Sequence, residues 1–192
     1  MIRRFILAVA AASVATVATA CGGHSTRTPL TIANYKGTDW VTDGKIKPPA
    51  TAGRGDRIKW PHTMDGAVMA GVDSQTMLDI ADDATFGGIA RDYFAAGEGL
   101  SAYLAARAQI TITGVPNPAK VPRIKGFRFF GYEDTAATVE VLFDQPDHSI
   151  TGLTRKLVWS GETWLIELPK ETAGIVKAYD TLPTDTNALP QT

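Results

Sequence analysis

The hydrophobic period changes once along this chain, and it changes at a run of prolines. Ahead of "TGVPNPAKVP" the apolar residues recur at helical spacing; beyond it they alternate. Three prolines in that stretch forbid regular structure between the two halves. With no helical pattern separating the later strands, they must pair antiparallel. The expected fold class is therefore α+β, with N-terminal helices packed on a bent antiparallel sheet of about four strands.

The helical half begins after Pro61. Met64, Ala67, Val68, Gly71, Val72, Gln75 and Leu78 form one stripe at i, i+3, i+4 spacing, continued by Ala81. A second helix is expected from about Thr85 to Ala96, with Phe86, Ile89, Ala90, Tyr93 and Phe94 facing inward, and a third over "LSAYLAARAQI". In the strand half, "RIKGFRFFGY" alternates around Ile124, Phe127 and Phe129, with Gly126 and Gly131 as bulge or bend positions. "TAATVEVLFD" follows, and "SITGLTRKLVW" and "TWLIEL" are joined by the short hairpin turn "SGE". In residues 170–192, "ETAGIVKAY" reads as a short helix ahead of a frayed tail.

Residues 1–20 read as an export signal. Arg3 and Arg4 precede an apolar or small-residue run, Phe5 to Ala20, that would span roughly 24 Å as a helix, short of the ~30 Å hydrocarbon core. Without those arginines, 17 basic side chains of the original 19 face 20 acidic ones, so no basic field remains to hold a nucleic acid. The single cysteine, Cys21, follows the run directly. Residues 21–59, rich in Gly, Thr, Pro and Asp, read as a flexible tether, with the "RGD" at Arg54 part of that linker. The globular domain is expected over residues 60–169.

The stretch "WPHTMDGAVMAG" places His62, Thr63 and Asp65 close together at the start of the first stripe. Each has a structural task available: Thr63 as helix N-cap, Asp65 as a first-turn carboxylate against the helix dipole, Trp60 as a staple on the domain. A catalytic reading needs His62 to meet a partner from Asp82, Asp83, Asp134, Asp144, Asp147 or His148. His24, His62 and His148 lack metal-ligand spacing, and no phosphate-binding loop or nucleophile elbow occurs. The expectation is no catalytic, metal or cofactor site.

Three resemblances add to this reading. "ATACGG" resembles a bacterial lipobox, which implies a diacylglyceryl group on Cys21, although Ala18-Thr19-Ala20 also suits ordinary signal peptidase cleavage. "KWPHTMDGAVMAG" is similar to a stretch of actinobacterial lipoproteins without established activity, in which a His-Thr-x-x-Gly-Ala step opens the first helix; the matching positions are His62, Thr63, Gly66 and Ala67. Helices followed by a bent sheet, with Trp159, Gly161 and Trp164 in the last hairpin, resemble the nuclear-transport-factor-two-like cone of type IV secretion and conjugation assembly proteins.

Together these imply a non-enzymatic lipoprotein on the outer face of the cell membrane. Its domain would bind envelope protein partners, with a conjugation or secretion apparatus among them. The alternative is an exported small-ligand-binding protein or enzyme that uses the cone of the sheet as its pocket.

Overall fold

The computed structural model describes residues 29–54, 57–114, 116–171 and 173–191. The leader, Cys21 and His24 lie outside these residues.

The longest helix, α1 (Met64–Asp79), is the centre of the molecule. Thr63 caps it from the extended region, its hydroxyl accepting from the Gly66 amide at 3.0 Å. Its middle is buried all round, from Gly66 to Ser74. One side faces the sheet and the other faces an N-terminal hairpin and α2 (Phe86–Tyr93). Small residues at 66, 67, 70 and 71 let backbone approach from both directions, which is why the burial is wider than a one-sided stripe. A third helix, α3 (Glu98–Arg107), follows.

Three long strands form the sheet: β3 (Arg123–Tyr132), β4 (Ala136–Asp144) and β5 (Ile150–Trp159). Their pairing is antiparallel throughout. The register of β3 on β4 shifts between Ile124 and Gly126 and again between Phe129 and Gly131, and these bulges bend the sheet. Gly126 has a second reason to be glycine: a Cβ there would lie 2.4 Å from the carbonyl oxygen of Asn187. The inner face presents Ile124, Phe127, Val139, Val141 and Leu157 to the core.

The sheet has six strands rather than about four. β6 (Trp164–Glu167) pairs with the last residues of β5, and β7 (Val176–Tyr179) pairs with its first. β8 (Asn187–Ala188) closes the other edge against β3. The expected short helix over "ETAGIVKAY" is thus β7. Gly174, at φ +80, breaks any helix there, and β5 offers an unpaired edge. Nor does the tail fray: Leu189 is buried, and the Ile32 amide donates to the Pro190 carbonyl at 2.8 Å.

A larger correction concerns the tether. β1 (Thr31–Tyr35) and β2 (Thr38–Thr42) form an antiparallel hairpin within residues 21–59. Its two-residue turn has positive φ at both Lys36 (53°) and Gly37 (86°), the twist that suits a tight hairpin. Every residue of β2 is buried, and Trp40 and Val41 are completely so. Asp73 of α1 accepts from the Val41 amide at 2.8 Å, and the Thr76 hydroxyl donates to the Asp39 carbonyl at 3.2 Å. The helices are therefore preceded by a strand pair, and the domain extends N-terminal of residue 60.

Candidate functional site

The His-Thr-x-x-Gly-Ala step resolves into packing. The Pro61 carbonyl accepts from the Thr63 amide at 2.8 Å and from the Trp164 indole at 3.1 Å. A Cβ at Gly66 would lie 1.9 Å from that same oxygen, so only glycine fits. Ala67 is fully buried. The His62 ring stacks on Trp159 at 4.0 Å between centroids with 10° between planes, and its Nε2 faces the carbonyl oxygen and, at 3.5 Å, the carboxylate of exposed Asp134. No nucleophile joins that pair.

The other polar residues weighed as partners of His62 are held in turns. Asp82 accepts from the Thr85 hydroxyl at 2.7 Å and the Ala84 amide, which together hold its carboxyl below the usual range. Asp83 is lowered by the Ile112 amide and then by Arg107. Lys125 lowers Asp144, with His148 3.7 Å away, and Ser149 lowers Asp147. Tyr93 and Phe94 are core, and Phe86 and Tyr103 pack against it. Among the described residues, no group of three or more His, Cys, Asp or Glu side chains could hold a metal ion.

A cavity of about 370 Å³ lies between α1 and the bent sheet, where the alternative reading put a pocket, though sequence reasoning assigned none of its lining residues to a site. Gly71, Val72, Gln75, Thr76, Asp79 and Ile80 form its helical wall. Val141 and Phe143 of β4 and Thr151, Leu153 and Arg155 of β5 form its floor. Ile124 and the segment from Pro116 to Pro122, with a 3-10 turn at Pro118–Lys120, close the third side. The size sits at the small end of the range for small-molecule sites, and the apolar floor with a few polar groups is their usual composition.

Two charges face each other across it. Arg155 is only 8 % exposed, because it takes an inward position on β5 between Leu153 and Leu157. Gly71 of α1 lies opposite, where a Cβ would be in ordinary contact, 3.5 Å from Leu157 and 3.9 Å from the Arg155 Cβ. Burial pulls the guanidinium down to about 10, partly offset by Asp79, so it stays charged at neutral pH. Asp79 is exposed to solvent. Desolvation raises its carboxyl, against the Gln75 amide, which donates at 2.6 Å, and Arg155. The two do not form an ion pair. The signal for Arg155 was present in "SITGLTRKLVW": a charge two residues from leucine on either side occupies an apolar-face position.

A smaller cavity of about 290 Å³ adjoins it, and Arg155 lines both. It lies where β5 changes edge partners, β7 ending opposite Leu153 and β6 beginning opposite Lys156. Glu98, Thr154, Ile166 and Leu168 are among its lining residues.

The sequence matches a family described as "Domain of unknown function (DUF8175)" over residues 8–187. No curated protein and no solved structure matches it.

Proposed function

The chain belongs to the DUF8175 family of domains of unknown function, and from that premise we propose an exported, lipid-anchored envelope protein whose domain binds a small, largely apolar ligand. The observation that carries the ligand reading is the 370 Å³ cavity between α1 and the inner face of β4 and β5. Among the described residues no His, Cys or Ser lines it, which favours binding over catalysis. Anchoring rests on the leader pattern and on Cys21 at its end. Among the described residues no helix is long and apolar enough to cross a membrane. The multiple acyl chains of a lipoprotein would hold the domain firmly at the outer face of the membrane.

A second reading is docking onto envelope protein partners, including a conjugation or secretion apparatus. It is supported by Phe130, 55 % exposed on the outer face of the sheet, with the Arg128 guanidinium 5.1 Å from its ring centre. Kinship with nuclear-transport-factor-two-like domains rests on the bent sheet and on the Trp159–Trp164 hairpin.

Both parts of the main reading can be tested on the full chain. Wild type should gain acyl mass at Cys21 and sediment with membranes, while Cys21→Ala should do neither. A neutral apolar dye, N-phenyl-1-naphthylamine, should brighten on the Cys21→Ala protein, and Leu153→Trp, which fills the cavity floor, should abolish the signal. Equal brightening with and without the tryptophan removes the cavity as the site.

A further inference from the structure

Every buried polar side chain in the wall of the larger cavity has a partner except one. The Thr38 hydroxyl donates to the Tyr35 carbonyl at 2.6 Å, and Asp39 accepts from Arg123 and from the Ile124 amide. Thr76 donates to the Asp39 carbonyl, Gln75 to Asp79, and Gln145 to the Thr151 hydroxyl at 2.6 Å. Arg155, at 8 % exposure, has neither a hydrogen bond nor an ion pair among the described residues. A guanidinium carries five N–H donors, and with no protein partner those of Arg155 meet only the solvent of the cavities it lines, where an anion can replace that water.

Resting on the ligand-binding reading above, we infer that the cavity takes a single-chain amphiphile whose carboxylate pairs with Arg155 and whose hydrocarbon lies against Val72, Ile124, Val141, Phe143 and Leu153. The planar fork of arginine matches a carboxylate through two parallel hydrogen bonds. Charge selects a carboxylate over a phosphate monoester. One guanidinium neutralises one negative charge, whereas a phosphate monoester brings about 1.5 to 2 and would leave the excess beside Asp79. Asp79 does not compete as the partner, because it keeps solvent access and the Gln75 amide serves it. Its raised carboxyl also gives up negative charge more readily when an anion arrives.

Size sets the chain length. A cavity of about 150 Å³ lined by aliphatic and aromatic side chains holds a benzene in another protein, so about 370 Å³ suits on the order of 15 non-hydrogen atoms. A twelve-carbon carboxylate has about that many.

The test uses the full chain carrying Cys21→Ala, the neutral dye as reporter, and dodecanoate and dodecanol as competitors. Dodecanoate should displace the dye at a concentration at least about tenfold lower than dodecanol, the usual worth of a hydrogen-bonded charge. Arg155→Gln should bring the two competitors within about twofold by weakening dodecanoate alone. Asp79→Asn should tighten dodecanoate and leave dodecanol unchanged, and it decides the question if Arg155→Gln fails to fold. Equal displacement by acid and alcohol in the parent protein overturns the inference, as does an Arg155→Gln loss shared by both. If the dye binds the cavity but neither competitor displaces it, the carboxylate inference falls while the ligand reading stands. If the dye itself does not bind, both fall.

Discussion

Gly66→Ala should destabilise the domain by about 2–4 kcal/mol, even though alanine is the better helix former. The new Cβ would sit 1.9 Å from the Pro61 carbonyl oxygen, where ordinary contact needs more than 3 Å. Separation by more than 1 Å pulls that oxygen away from the Thr63 amide at 2.8 Å and the Trp164 indole at 3.1 Å. Each lost bond is worth about 1 kcal/mol, and the buried indole N–H left without an acceptor adds about 1–3 kcal/mol. The helix propensity of alanine returns about 1 kcal/mol. For a domain of this length the net loss corresponds to a melting point lower by about 5–10 °C. The control is Gly87→Ala in α2, where a Cβ meets nothing within 4 Å; there the gain should be about 0.5–1 kcal/mol. Urea titration of both variants beside wild type reads the two signs. If Gly66→Ala matches Gly87→Ala, close approach of Pro61 is not what excludes a side chain at position 66.

Three further perturbations test other parts of the fold. Asp73 is wholly buried, and its carboxyl is raised well above the ordinary 3.8 by desolvation. The folded state therefore holds a proton that the unfolded state releases, so this contribution is complete below 3.8 and is lost as pH rises from there toward the folded-state value. Asp73→Asn, which keeps an acceptor for the Val41 amide, should flatten that loss in melting points measured from pH 4 to 8; an unchanged profile rules Asp73 out as its source. Thr63→Ala should cost about 1 kcal/mol in urea unfolding through the lost cap on the Gly66 amide. On the outer face, Glu140 is 1 % exposed, accepting from Arg128 and from the hydroxyl of Tyr179, whose ring reaches it across Gly152 of β5. Glu140→Ala should cost about 2–3 kcal/mol by removing the buried partner of Arg128, which then keeps only the exposed Asp185 and the Tyr179 hydroxyl. In a double-mutant cycle with Tyr179→Phe, the two losses should add to more than the combined effect.

The change of period at the prolines was legible because β3 to β5 bury mainly one face, which alternation records. The helix α1, though buried all round through its middle, still has its apolar residues at helical spacing. The same logic explains what was missed. β2 is buried on both faces, so "TDWVT" shows no alternation, and its Lys36-Gly37 turn is not the common asparagine–glycine pair. β7 is a strand only because β5 presents an open edge, a tertiary condition that "GIVKAY" does not carry. Of the site, the motif around His62 drew attention through its residue types and proved to be packing. Arg155 drew none, because the burial of a charge at an apolar-face position depends on α1 packing over the sheet, which the residues of the strand do not carry.

The clasp between Ile32 and Pro190 has a mechanical consequence. The two ends of the described chain lie side by side, joined through the Ile32 amide and a parallel bridge from Ile32 to Gln191. Because that bridge is parallel, the chain runs out of it in opposite directions at its two ends, so a pull between them would load that short junction first and in shear. Tension drawn from an N-terminal anchor against something grasping β5 or α1 would instead run through the Val41–Asp73 hydrogen bond and the buried β2, shearing many contacts together. The fold is thus loaded in shear along either path, at a short junction when stretched end to end and over many contacts when gripped by its middle.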